Sequence, residues 1–126
     1  MATQTYFDRK DQLEKIESGV LPSEEILAVF DMKGGGTGFL GITTMRLVIY
    51  DKSFLRKMKA VVSVPIRNLI TVAAQDESGL FSGRGFFGSS TLILSTSNSQ
   101  YEFEFRGADK AHHAHQLILG LMLGIS

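Results

Sequence analysis

The stretch Gly41-Ile42-Thr43-Thr44-Met45-Arg46-Leu47-Val48-Ile49-Tyr50 decides the fold. Leu40 and Ile42 alternate with Gly41 and Thr43; after Thr44 and Met45 the alternation resumes as Leu47 and Ile49 against Arg46, Val48 and Tyr50. Period-2 patterning in β-formers on both sides of so short a break predicts two antiparallel strands joined by a tight turn. Their apolar side chains then share one face, and that face needs a partner layer to bury it. Nothing in the stretch is catalytic.

Upstream, residues 7–20 carry helix signals: Asp8 as N-cap, interleaved acids and bases, and Phe7, Leu13, Ile16 and Val20 along one side, ended by Gly19 and Pro22. The apolar stripe is narrow, which suits a helix on the outside of a domain or against another subunit. Residues 25–33 then alternate, with Ile26, Ala28, Phe30 and Met32 opposite Leu27, Val29 and Asp31, and predict a first strand. Gly34, Gly35, Gly36 and Gly38 connect it to the central hairpin.

Downstream, residues 51–59 form the most basic segment, with Lys52, Arg56, Lys57 and Lys59 around Phe54 and Leu55. Strands are expected at 60–64, stopped by Pro65, and at 69–75 after a short turn over 66–68. Residues 77–88 are rich in glycine and aromatics, and a further hairpin pairs 91–95 with 101–105 across Ser97-Asn98-Ser99. The chain closes with a helix over 108–124, with Asp109 at its positive end and a stripe of Ala111, Ala114, His115, Ile118, Leu121 and Met122. The sum is an outer helix, seven antiparallel strands in hairpin order, and a final helix placed to plug the open end of a sandwich or open barrel.

At 126 residues, 44% apolar and 21% charged, the chain has the composition of a globular protein with one core. Its 13 basic and 13 acidic side chains cancel, so there is no global pull on nucleic acid and no nucleic-acid partner is expected. It has no cysteine, which excludes disulfides, thiol catalysis and cysteine-based zinc sites. The first residues lack the order of a secretory signal and no apolar run is long enough for a membrane span, so the expected location is cytoplasmic, including the inner membrane surface.

Three segments, Leu21-Pro22-Ser23-Glu24-Glu25, Gly38-Phe39-Leu40-Gly41-Ile42-Thr43 with Arg46-Leu47-Val48-Ile49-Tyr50, and Ser63-Val64-Pro65-Ile66-Arg67-Asn68-Leu69-Ile70, carry a likeness beyond the pattern. In this order they resemble the bacterial pleckstrin-homology-like domains, close to the GRAM domains. Where that pattern has Thr-Asn-Lys-Arg-Leu, this chain has Thr43-Thr44-Met45-Arg46-Leu47 and departs at Thr44 and Met45. The likeness spans about residues 21–123. It implies a mainly β (α+β), seven-stranded pleckstrin-homology-like open barrel or sandwich with a C-terminal capping helix, occupying 21–126, with 1–20 as a helical extension. It also implies a binding module rather than an enzyme, and the oligomeric habit of bacterial relatives.

Two matches to G-x-G-x-x-G, at 36–41 and 83–88, run into strand-like residues rather than a helix N-terminus, the context a dinucleotide requires. Asp109, His112, His113 and His115 invite a metal, but His113 points away from the other histidines around the helix, and a solvated helix start is the simpler reading. No nucleophile elbow or paired-carboxylate pattern is present, and no cofactor is expected.

In an uninterrupted meander the first-to-second and third-to-fourth connections share one end. Lys33 can then join Lys52, Arg56, Lys57 and Lys59, in a position that resembles the headgroup site of eukaryotic pleckstrin-homology domains. Those that bind phosphoinositides carry several basic residues beside the first connection, where this chain has only Lys33. The basic segment reads either as a solvated turn whose Phe54 folds back on the barrel or as a contact with an anionic membrane into which Phe54 and Leu55 dip. Leu80, Phe81, Phe86 and Phe87 need cover, beneath the core or on a second copy or another protein; a homo-oligomer contact is the favoured reading.

Overall fold

The computed structural model describes residues 4–33, 38–51, 61–76 and 88–125. The chain forms two compact units, Met1–Pro65 and Ile66–Ser126.

Among its described residues, the first unit holds five strands and a helix: β1 (Tyr6–Phe7), α1 (Lys10–Glu17), β2 (Ile26–Asp31), β3 (Gly38–Thr43), β4 (Arg46–Asp51) and β5 (Val62–Pro65). Its sheet runs β1-β2-β3-β4-β5 in chain order, antiparallel except for the parallel pair β1 and β2. The decisive hairpin is β3 and β4, turning at Thr44 and Met45, with Leu40 opposite Ile49 and Ile42 opposite Leu47. These four side chains, with Ala28 and Phe30 from β2, are buried.

The other face of this sheet is covered too. Ile16 of α1, Val29 of β2 and Val48 of β4 form a second buried cluster, bordered by Leu13, Val20, Ile26, Phe39 and Tyr50. This corrects the simple alternation expected of β2: Ala28, Val29 and Phe30 are all buried, because α1 packs on the face that would otherwise meet water. Gly41 makes the close approach possible, since a Cβ there would lie 2.8 Å from Ile16 Cδ1. Close packing of helix on strand therefore fixes this glycine, whichever backbone angles it adopts.

The N-terminal segment differs from expectation in two ways. Tyr6 and Phe7 pair with Ala28 and Val29 as a strand, so eight strands rather than seven occur among the described residues, and one pair is parallel. Asp8 does not cap the helix. Arg9 occupies the N-cap without a side-chain cap bond, while Asp8 Oδ2 accepts from the Asp31 amide at 2.9 Å and its Oδ1 from the Tyr6 hydroxyl. The acid ties β1 to the end of β2 instead.

The second unit begins with one turn of 3-10 helix, Ile66–Asn68, followed by β6 (Thr71–Asp76), β7 (Ser89–Ser95), β8 (Gln100–Arg106) and α2 (Lys110–Met122). The sheet is an antiparallel β6-β7-β8 meander. Leu92, Leu94, Phe103 and Phe105 are buried on the sheet, as are Ala111, Ala114 and Ile118 on α2, which packs on it. His115, Leu121 and Met122 of the expected stripe are only half-buried. Asp109 stands at the N-cap without a side-chain bond. Its place is taken from β7, where Ser90 Oγ accepts from the Ala111 amide at 2.9 Å and donates to the Gly107 carbonyl at 2.8 Å. Gly107, at φ +108, provides the left-handed step from β8 to the helix.

Candidate functional site

The register of the first sheet places its connections. Asp31 pairs with Phe39, Gly38 with Asp51, and Ile49 with Val62, so the end of β2, the start of β3, the end of β4 and the start of β5 lie at one end. Asp31, Gly38, Asp51 and Val62, the strand ends on either side of both connections, therefore share that end. Lys33 is exposed there. Lys52, Phe54, Leu55, Arg56, Lys57 and Lys59 lie outside the described residues, as do Leu80, Phe81, Phe86 and Phe87.

The described part of this end is firmly built. The Gln12 side-chain amide donates to Asp31 Oδ1 at 2.7 Å, joining α1 to the last residue of β2. Gln12 Oε1 is buried without a hydrogen-bond partner, an uncompensated cost of setting this amide under the helix. Tyr6 lies against Phe30 with ring centroids 5.2 Å apart, and Phe39 stacks on Tyr50 at 4.6 Å and 18°. Burial pushes the Tyr50 hydroxyl above its ordinary value.

The opposite end holds the strongest polar network, assembled from the segments whose sequence carries the family likeness. Leu21-Pro22-Ser23-Glu24 is a turn closed by the Glu24 amide donating to the Leu21 carbonyl at 3.0 Å, with Ser23 at φ +71. Proline second and a positive φ third are the marks of a type II turn. The turn delivers Glu24 to Arg46, whose Nε and Nη2 donate to the two carboxylate oxygens at 2.7 and 3.0 Å. Thr43 Oγ1 donates to the same carboxylate at 2.6 Å, as does the Leu21 amide at 2.8 Å. Arg46 also donates to Ser63 Oγ on β5 at 2.8 Å and to the Gly19 carbonyl beyond α1 at 2.9 Å. Thr43 Oγ1 accepts from the Met45 and Arg46 amides at 3.1 and 3.0 Å, which closes the β3–β4 turn.

The Glu24 side chain is 0% exposed and that of Arg46 21%. A carboxylate so enclosed keeps its charge only with matched donors. Hydrogen bonds from Arg46, then from Thr43 and the Leu21 amide, outweigh burial and hold its carboxyl at about 2, below its ordinary 4.5. Because the folded value lies below the unfolded one, this stabilisation is complete above about pH 4.5 and is lost as pH falls through about 2. Urea unfolding followed by circular dichroism is expected to show stability falling across that window, with a shallower fall in Glu24→Gln. Thr43 and Arg46 of the signature therefore act as a structural clamp on the hairpin, the turn and β5, and Arg46 is occupied within it.

Among the described residues, no group of three or more histidines, aspartates or glutamates is placed to hold a metal ion. His112 instead faces Asp76 of β6 at 3.9 Å. The first G-x-G-x-x-G match ends inside β3 and the second runs into β7, so neither opens a helix. Among the described residues, no helix is long and apolar enough to cross a membrane.

Among the described residues, two helices and eight strands in two sheets are consistent with a pleckstrin-homology-like α+β fold. The crystal structure of a pleckstrin homology domain from Shewanella amazonensis SB2B is similar, with a TM-score of 0.65, 18% sequence identity, and coverage of 93% of this chain and 100% of that one. No family model matches the sequence, and no curated protein matches it.

Proposed function

We propose that this chain is a non-catalytic binding and scaffolding module that self-associates, with Leu80, Phe81, Phe86 and Phe87 as its oligomer contact. The observation that carries the reading is the pleckstrin-homology-like fold, shared with the Shewanella domain over 93% of the chain. The polar network that the signature residues build is consumed in holding that fold, which favours a scaffold over a catalyst. Three phenylalanines and a leucine within a glycine-rich segment supply apolar surface that a second copy can cover.

A second reading is supported by the common end of the first sheet. There Lys33 stands beside the strand ends that bound the basic segment, and Lys52, Arg56, Lys57 and Lys59 would meet anionic lipid headgroups, with Phe54 and Leu55 inserted between them. Such segments gain about 1 kcal/mol per charge at an anionic surface.

Light scattering at low and high salt separates the two. Self-association through aromatics is expected to persist at high salt and to be lost in a Phe86→Ser, Phe87→Ser variant, whereas headgroup attraction weakens as screening shortens to about 3 Å at 1 M. A native chain that is monomeric throughout overturns the first reading. Flotation with phosphatidylserine vesicles that is unchanged by Arg56→Glu, Lys57→Glu overturns the second.

A further inference from the structure

The order β6-β7-β8 gives the second sheet two edges, and they are built differently. The edge strand β8 exposes Glu102, Glu104 and Arg106, charges that oppose pairing with another chain. β6 carries no charge before Asp76, no proline and no glycine, and among the described residues its only ladder is to β7. In the first sheet, β1 is two residues long and β5 is four and ends on Pro65, both ordinary ways of blunting an edge. Among the described strands, β6 is the one edge with no such device.

Its apolar face is also unfinished. Val72 and Ala74 are ladder partners of Leu94 and Leu92, which are buried, yet both remain only half-buried. Ile70, two positions before Val72 and continuing the same alternation, is 58% exposed.

We propose that β6 pairs with β6 of a second copy, antiparallel about a two-fold axis at Val72. This deepens the self-association proposed above, rests on it, and adds a strand contact to the aromatic one. Symmetry limits the register, because opposed residues must share a face. With Val72 opposite Val72 of the partner subunit, Ile70 faces Ala74 of the partner subunit and Thr71 faces Ala73 of the partner subunit. The exposed isoleucine is then covered and no charge enters the paired stretch. Of the two neighbouring registers, the one centred on Ala73 sets Ile70 against Asp76 of the partner subunit, and the one centred on Thr71 sets Ala74 against the 3-10 turn at Asn68 of the partner subunit, so both are disfavoured. Pairing at Val72 joins two three-stranded sheets into one of about six strands, a common sheet size.

The chain has no cysteine, so a single introduced thiol reports the pairing. Directly opposed residues of antiparallel strands lie about 4.5–5.5 Å apart at Cα, within reach of a disulfide. Val72→Cys is expected to give a covalent dimer under mild oxidation, whereas Glu102→Cys on the charged edge is not. Ile70→Lys, at an exposed position, is expected to weaken self-association about tenfold or more by sedimentation, with an unchanged circular dichroism spectrum and Tm. A native chain that is monomeric at every concentration overturns both the self-association and the pairing, leaving the edge to an extended segment of a different protein. A native oligomer whose Val72→Cys form stays unlinked, or whose mass is unmoved by Ile70→Lys, overturns the β6 pairing alone and leaves self-association standing.

Discussion

Arg46→Met is expected to destabilise the fold by about 3 to 5 kcal/mol, the usual cost of removing one partner from a buried ion pair. The methionine keeps the bulk of the side chain and loses four donors' worth of contacts: two to Glu24, one to Ser63 and one to the Gly19 carbonyl. Most of the loss comes from the acid left behind, enclosed with only Thr43 Oγ1 and the Leu21 amide as donors. Its carboxyl then rises from about 2, and acid unfolding begins at higher pH. Glu24→Gln in the Arg46→Met background is expected to recover part of the stability, because a neutral amide replaces the unpaired charge. Arg46→Lys should fall between native and Arg46→Met, since an ammonium cannot reproduce the two-point contact. Urea midpoints by far-ultraviolet circular dichroism read all four. A loss below about 1 kcal/mol for Arg46→Met would return the pair to the class of surface bridges.

Ile16→Ala is the second large effect, about 2 to 5 kcal/mol, from lost transfer energy and the cavity left between α1 and the sheet. Ile16 is 2% exposed and fills a notch whose floor is the missing side chain of Gly41. Gly41→Ala alone is expected to cost about 1 to 3 kcal/mol by overpacking, its new methyl lying 2.8 Å from Ile16 Cδ1. In the Ile16→Ala background the same methyl enters the cavity instead. The double variant should therefore be more stable than the sum of the singles by at least about 0.5 kcal/mol, the mark of direct contact. Strict additivity would show that the two residues do not meet.

The hairpin was legible because its pattern is nearly pure: Leu40, Ile42, Leu47 and Ile49 alternate without interruption and all four are buried. Strands β2 to β8 each overlap an expected strand. Tyr6–Phe7 was not legible, since two residues carry no period and the ladder that makes them a strand lies some twenty residues downstream. The cap of α2 was missed similarly: Asp109 is the local candidate, but Ser90, in another element, makes the bond. The signature Thr43-x-x-Arg46 was visible as a likeness, while its work was not, because Glu24 is its necessary partner from a different turn. Of the basic patch read from the sequence, Lys33 is the one member among the described residues, exposed just beyond the end of β2.

Among the described residues, every ladder in each sheet joins strands that follow one another along the chain. Folding such a sheet requires only short loop closures, each costing little chain entropy before its hydrogen bonds and apolar contacts form. Among the described residues, the first sheet completes its last ladder at Pro65 and takes no strand from beyond it. During synthesis its hydrogen bonding can close while the second half of the chain is still being made, which shortens the time its unpaired edges are open to aggregation.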